Sequence, residues 1–179
     1  MSRFDPEIEL ESFTTAAEEV VRLLASQPRS LGIRAASVSG WSALEHACHV
    51  TLANELVLRN LANLARGSGL LVVADAQQDA RALEILVGGA LPRGQARSPR
   101  MVVPPSDVEL DTTREWAERF ALDLVAFRRG FDARAQRARL FVPHQILGPL
   151  DLAQWSRFGA VHTKHHLGIA QEVLAALHG

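Results

Sequence analysis

Apolar positions along the chain recur at helical spacing in four long stretches, each opened by a recognisable start signal. In the first, Asp5 can cap the helix and Pro6 suits the first helical position, where no amide hydrogen is missed. Ile8, Phe13, Ala17, Val20 and Leu24 then fall on one face, and Pro28 ends the run. The second begins at Ser42 with Glu45 three residues on, a capping box that satisfies two orphan amides, and Trp41 just before it can staple against the first turn. Its apolar residues continue to about Ala65, and Gly67 and Gly69 close it. The third follows Pro104 and Pro105, with Ser106 and Glu109 forming another capping box and a core-facing stripe of Trp116, Phe120, Leu124, Phe127 and Phe131. The fourth starts at Asp151, with Gln154 at its third position, and runs to about Leu177.

Two connections stand out. Residues 67–105 are too long for a bundle turn and predict a short extra helix from about Asp75 to Leu86. Residues 134–150, with Pro143, Gly148 and Pro149, read as an irregular link. No strand alternation persists beyond Leu70 to Val73, and no internal repeat is visible. The expected fold is all-α: a four-helix bundle with a long second connection carrying a short helix, in one domain over 1–179.

Composition narrows the function. The chain is 47% apolar and 22% charged with a formal net charge of −1, an ordinary soluble balance with no basic excess for nucleic acid or a membrane surface. Lys164 is the only lysine, and the scattered arginines read as compositional bias. Cys48, the only cysteine, permits neither an internal disulfide nor a cysteine-based zinc finger. No apolar run reaches the roughly twenty residues of a membrane span, and the acidic N-terminus lacks the apolar core of a signal peptide, so the expected location is the cytoplasm.

The seven histidines are the informative minority. His162 and His166 are four apart on the last helix and share its apolar face with Trp155, Phe158 and Gly159 one way and Ile169, Ala170, Val173 and Leu177 the other. A buried imidazole must find a hydrogen-bond partner or a metal. His49 points inward from the second helix, with Glu45 behind it and Leu52 and Leu56 ahead. Three neutral imidazoles from two helices would hold one divalent ion and leave positions open for water or substrate, the mark of a reactive rather than a structural centre. Satisfied core histidines without metal are the competing reading.

The other candidates have plainer explanations. His46 falls where Trp41 would pack, although its separation of three from His49 keeps a ligand role open. His165 points a quarter-turn from His166 and suits a flanking role; His144 lies in the link before the last helix, within reach of the bundle end but with nothing to fix it there; His178 is terminal. Glu45 is accounted for by its capping box, with a role as ligand or base the minor reading, and Cys48, turned about 100° from His49, reads as a small buried hydrophobe. There is no phosphate loop, nucleophile elbow or H-E-x-x-H motif. A di-iron bundle is excluded because Glu45 is four residues before His49 rather than three, and the first and third helices offer no matching inward acid.

The stretch Trp41-Ser-Ala-Leu-Glu-His-Ala-Cys-His49 resembles the start of the second helix in the DinB/YfiT-like superfamily, where a tryptophan stands eight residues before a ligand histidine. Leu147-Gly-Pro-Leu-Asp-Leu-Ala-Gln-Trp155 followed by His162-Thr-Lys-His-His-Leu167 is similar to that superfamily's final helix, closest to an uncharacterised subfamily. The resemblance implies metal ligation by His49, His162 and His166, a four-helix bundle, nickel or zinc as the ion, and a homodimer. It further implies a thiol-dependent transferase or isomerase using a low-molecular-weight thiol on a small electrophilic substrate. Apart from the resemblance, Glu45 and His165 are the candidates for an assisting base or a supporting neighbour of the ligands. The alternative is a non-catalytic, stress-related bundle in which the ion staples two helices. One departure is Leu167-Gly168-Ile169 where the family places Arg-Gly-Gln after the last histidine, which removes an arginine contact to substrate.

Overall fold

A computed structural model describes residues 3–26, 29–94, 98–133 and 139–177; Pro28 and His178 lie outside them. In chain order the elements are α1 (Pro6–Ser26), α2 (Ala43–Arg66), β1 (Val73–Ala74), α3 (Ala80–Gly88), a 3-10 turn (Arg100–Val102), α4 (Leu110–Gly130), β2 (Leu140–His144), β3 (Gly148–Leu150) and α5 (Leu152–Ala176). The chain is mostly helical, with a small antiparallel sheet in the order β1-β2-β3. α5 packs along α1 and α2, and α4 packs against the same two helices. Among the described residues no helix is long and apolar enough to cross a membrane.

Three of the four predicted helix starts are realised in atomic detail. The Asp5 carboxylate accepts from the amides of Glu7 and Ile8. Ser42 and Glu45 form the reciprocal box, with Glu45 N–H on Ser42 Oγ at 3.2 Å and Ser42 N–H on Glu45 Oε2 at 2.8 Å. Asp151 and Gln154 do the same at α5. Gly67 ends α2 in the left-handed conformation (φ 66°), which a side chain would strain.

The third start differs. α4 begins at Leu110 with Glu109 as its cap residue, and no side chain caps it; Ser106 and Glu109 make no box. The buried line of α4 is also displaced. Thr113, Ala117, Phe120, Ala121 and Leu124 face the core, whereas Trp116 is 37% exposed. The buried line passes through Ala117, and Trp116, one residue earlier and so turned about 100° around the helix, falls at the edge of that face. On α1, Ile8 likewise faces solvent, and Leu10, Phe13, Ala17, Val20 and Leu24 carry the burial. Glu9 corrects the expectation that α1 has no inward acid: it is buried, ion-paired to Arg157, and its Oε2 has no hydrogen-bond partner.

The long second connection contains α3, later than predicted and capped by Asp79, whose carboxylate accepts from Arg81 N–H at 2.8 Å. The link expected to be irregular holds a hairpin instead. β2 pairs with β3 in the register Val142↔Leu150, Pro143↔Pro149 and His144↔Gly148, and with β1 on its other side. Leu140, Phe141 and Val142 suit a strand, but Pro143 and Pro149 break the apparent pattern because proline donates no ladder hydrogen bond. Here the two prolines stand opposite each other in the register of the strand pair.

α1 and α5 meet at Gly159, where a Cβ atom would lie 2.6–2.8 Å from three atoms of the Phe13 ring. Phe13 is fully buried, so it has nowhere to retreat. Gly159→Ala is therefore expected to destabilise the protein by about 1–3 kcal/mol through overpacking, read as a lower midpoint in urea with an unchanged slope. An unchanged midpoint would show that the two helices can part freely at this point.

Candidate metal centre

The α2 cap sets the first ligand. The capping box fixes the entry of α2, and Arg34 grips the same carboxylate, its Nε–H donating to Glu45 Oε2 at 2.8 Å and its Nη2 pairing with Oε1. The Arg34 hydrogen bond holds the Glu45 carboxyl below the usual range. Glu45 is thus an ionised cap and ion-pair partner, with both oxygens engaged. One turn on, His49 is 2% exposed and aimed between α2 and α5.

His49, His162 and His166 converge: one ring nitrogen from each lies within 4.8 Å of the other two. These three histidines are placed close enough to hold a metal ion. His49 Nδ1–H donates to the carbonyl of Val102 at 2.8 Å, which fixes the tautomer and leaves Nε2 as a lone pair facing the cluster. That Nε2 stands 3.3 Å from His162 Nε2. Two imidazole nitrogens on one tetrahedral zinc, at ~2.0–2.1 Å each, stand about 3.3 Å apart. His162 Nδ1 is buried without a partner. His166 uses Nδ1 toward His46, which leaves Nε2 for the cluster.

The electrostatics suit a cation. Burial lowers the pKa of every one of these rings, because a dry pocket disfavours the charged form. His162 is pushed down to about 3 by burial first and then by His49, His165 and His144. His49 is lowered by burial, and His166 by burial and then by His162, His49 and His46. The rings are neutral near pH 7, with lone pairs available to a metal.

A second layer surrounds them. The Trp41 ring lies 5.1 Å from His49, 5.4 Å from His46 and 6.4 Å from His166, so the predicted staple also roofs the histidines. Phe158 stacks on His162 at 5.3 Å and 24°. His165 packs edge-on against His166 at 5.1 Å and is half-buried, with its pKa lowered chiefly by burial. Asn54 Nδ2–H donates to Thr163 Oγ1 at 2.9 Å, and the Thr163 hydroxyl donates to Gly159 O at 2.7 Å, a buried bridge that registers α2 against α5 beside the cluster. Cys48 is buried and outside the triad, with burial raising its thiol pKa.

One feature was not read from the sequence, and two were read only in part. Val102 belongs to the long second connection, and no pattern marks a backbone carbonyl as a partner. His46 faces His166 and Ser39, and its spacing of three from His49 was the one available hint. His144 is drawn to the start of α5, with its ring 4.5 Å from Phe158 and 5.3 Å from Trp155, and its Nδ1 accepts the amides of Ile146 and Leu147.

Comparison with family models, with curated proteins and with solved structures finds no match to this chain.

Proposed function

We propose that the chain binds one divalent ion, nickel or zinc, through His49, His162 and His166, within a DinB-like four-helix bundle formed by α1, α2, α4 and α5. In this reading it is a metal-dependent enzyme of the thiol-transferase kind acting on a small electrophilic molecule. The observation that carries it is the His49 ring: its Nδ1–H is held by Val102 O, so its Nε2 lone pair faces two further neutral imidazoles. Core histidines kept only for packing have no need of three converging ring nitrogens, and burying one of the rings with an unpartnered nitrogen, as at His162 Nδ1, is costly. The residues quoted above around Trp41–His49 and Trp155–Leu167 support the same family.

When bound, a divalent ion supplies Lewis-acid chemistry, lowering the pKa of a thiol or water at its open position. The protein's own part is to hold three nitrogens, to shield them with Trp41 and Phe158, and to take up the proton released. His165 is the side chain for that last task, because it is neutral, half-buried and beside His166, whereas the Glu45 oxygens are committed to Ser42 and Arg34. The expected cofactor is a low-molecular-weight thiol.

The test is cobalt and zinc titration of untagged, metal-stripped protein. One ion per chain is expected, and the visible cobalt bands should shift when a small thiol is added. Bands indifferent to thiol would make the ion a staple between α2 and α5 and overturn the enzymatic reading. No uptake at all would overturn the metal as well.

A further inference from the structure

His46 Nδ1 stands 2.9 Å from His166 Nδ1, and His46 Nε2 stands 2.9 Å from Ser39 Oγ. A neutral imidazole has one donor nitrogen and one acceptor nitrogen. Two Nδ1 atoms at that distance are satisfied only when one of them carries a proton, so the chain Ser39–His46–His166 has two internally consistent polarities. In one, Ser39 donates to His46, His46 donates to His166, and the proton on His166 is left at Nε2, facing His49 and His162. In the other, every proton points outward: His166 Nδ1–H to His46 Nδ1, then His46 Nε2–H to Ser39 Oγ. The backbone amide of Trp41 also donates to Ser39 Oγ, at 3.1 Å, and so pins the hydroxyl in either case.

We propose that His46 and Ser39 are positioning residues for His166, and that a cation on its Nε2 sets the chain in the outward polarity. This rests on the metal reading above. A ligand nitrogen must offer a lone pair, which places the His166 proton on Nδ1, where only His46 is there to accept it. His46 can accept at Nδ1 only by carrying its own proton on Nε2, and Ser39 Oγ receives that proton. His49 is oriented by the Val102 carbonyl; His166 is oriented by a side chain on the same helix as His49. His46 is 4% exposed, so water is not a ready substitute for it. It would touch the ion's ligand and not the ion, so its loss weakens binding without removing a coordination bond.

The experiment compares zinc affinity, by competition with a chromophoric chelator, in wild type, His46→Ala and His46→Asn. Removing an outer partner of a metal-bound histidine commonly weakens binding 10–100-fold. His46→Ala should fall in that range while still binding one ion. His46→Asn should recover most of the loss, because its side-chain carbonyl can accept the His166 Nδ1–H. Long-range proton–nitrogen NMR of the zinc-loaded wild type should show His46 as the Nε2–H tautomer and His166 protonated at Nδ1, a readout that packing alone does not predict. Wild-type affinity in His46→Ala, or a His46 proton on Nδ1 in the loaded protein, overturns the inference. Wild-type protein that takes up no zinc overturns the metal reading instead.

Discussion

His162→Leu is expected to abolish zinc uptake while leaving the metal-free protein at least as stable as wild type. The two effects have one cause. His162 stacks under Phe158 and buries an Nδ1 atom that has no hydrogen-bond partner. A buried polar atom left unsatisfied costs about 1–3 kcal/mol. Leucine keeps apolar contact with Phe158 and removes that penalty, but it also removes one of three ligands. The wild type gains what the variant cannot: an ion present at one hundred times its dissociation constant adds about 2.7 kcal/mol to folding. For a chain of this size that is a rise of roughly 5–10 °C in melting temperature. Thermal melts with and without zinc check both halves. The wild-type melt should move and the variant melt should not, and the metal-free variant should melt no lower than metal-free wild type. A variant whose melt still rises with zinc would relocate the ion away from His162.

This trade-off is what made the site legible. A polar group at the centre of an apolar stripe contradicts the stripe unless it has work to do, and His162 and His166 broke the pattern of α5 twice, one turn apart. His49 broke it on α2. Helical periodicity carries such information because it says which way a residue faces. The starts at Ser42 and Asp151 were legible for a related reason, since a capping box is a local motif that both ends of the sequence signal must satisfy. The same reasoning failed at Ser106, where an identical spacing makes no box. Capping propensity is a weak local preference, and the chain reaches α4 from a 3-10 turn that docks Val102 into the core, delaying the helix to Leu110. Docking Val102 is also what delivers its carbonyl to His49, a contact between residues 53 positions apart that no periodicity encodes. The β2–β3 hairpin was hidden by its prolines, and with it what fixes His144 against α5. What could be read was the direction of side chains on helices; what could not was where the long connections return.

Metal-free protein is expected to lose its fold steeply as pH falls below about 6.5, the ordinary histidine value. His46 and His144 are pushed down to about 4, chiefly by burial, and His162 to about 3, chiefly by burial as well. The sign follows from proton counts. Above pH ~6.5 these rings are neutral in both folded and unfolded chains and contribute no pH dependence. Below it, the unfolded chain takes up protons that the folded chain refuses, so stability falls by up to about 1.4 kcal/mol per pH unit for each ring until its folded value is reached. Three such rings remove at most roughly 8 kcal/mol by pH ~4.5, comparable to the whole stability of an ordinary domain. The carboxylates act in a different window. Glu45 is lowered by its Arg34 hydrogen bond, so its contribution disappears only below the usual carboxylate value, while Glu9, raised by burial, opposes the histidines as acid is added. One carboxyl against several imidazoles does not reverse the slope. Zinc competes with protons for the ring nitrogens, so the zinc-loaded protein should hold its fold to lower pH than the metal-free protein. Circular dichroism followed from pH 7.5 to 4 in both states checks this. A metal-free transition lying wholly below pH ~4.5 would assign acid unfolding to the carboxylates and show that the histidine cluster tolerates charge.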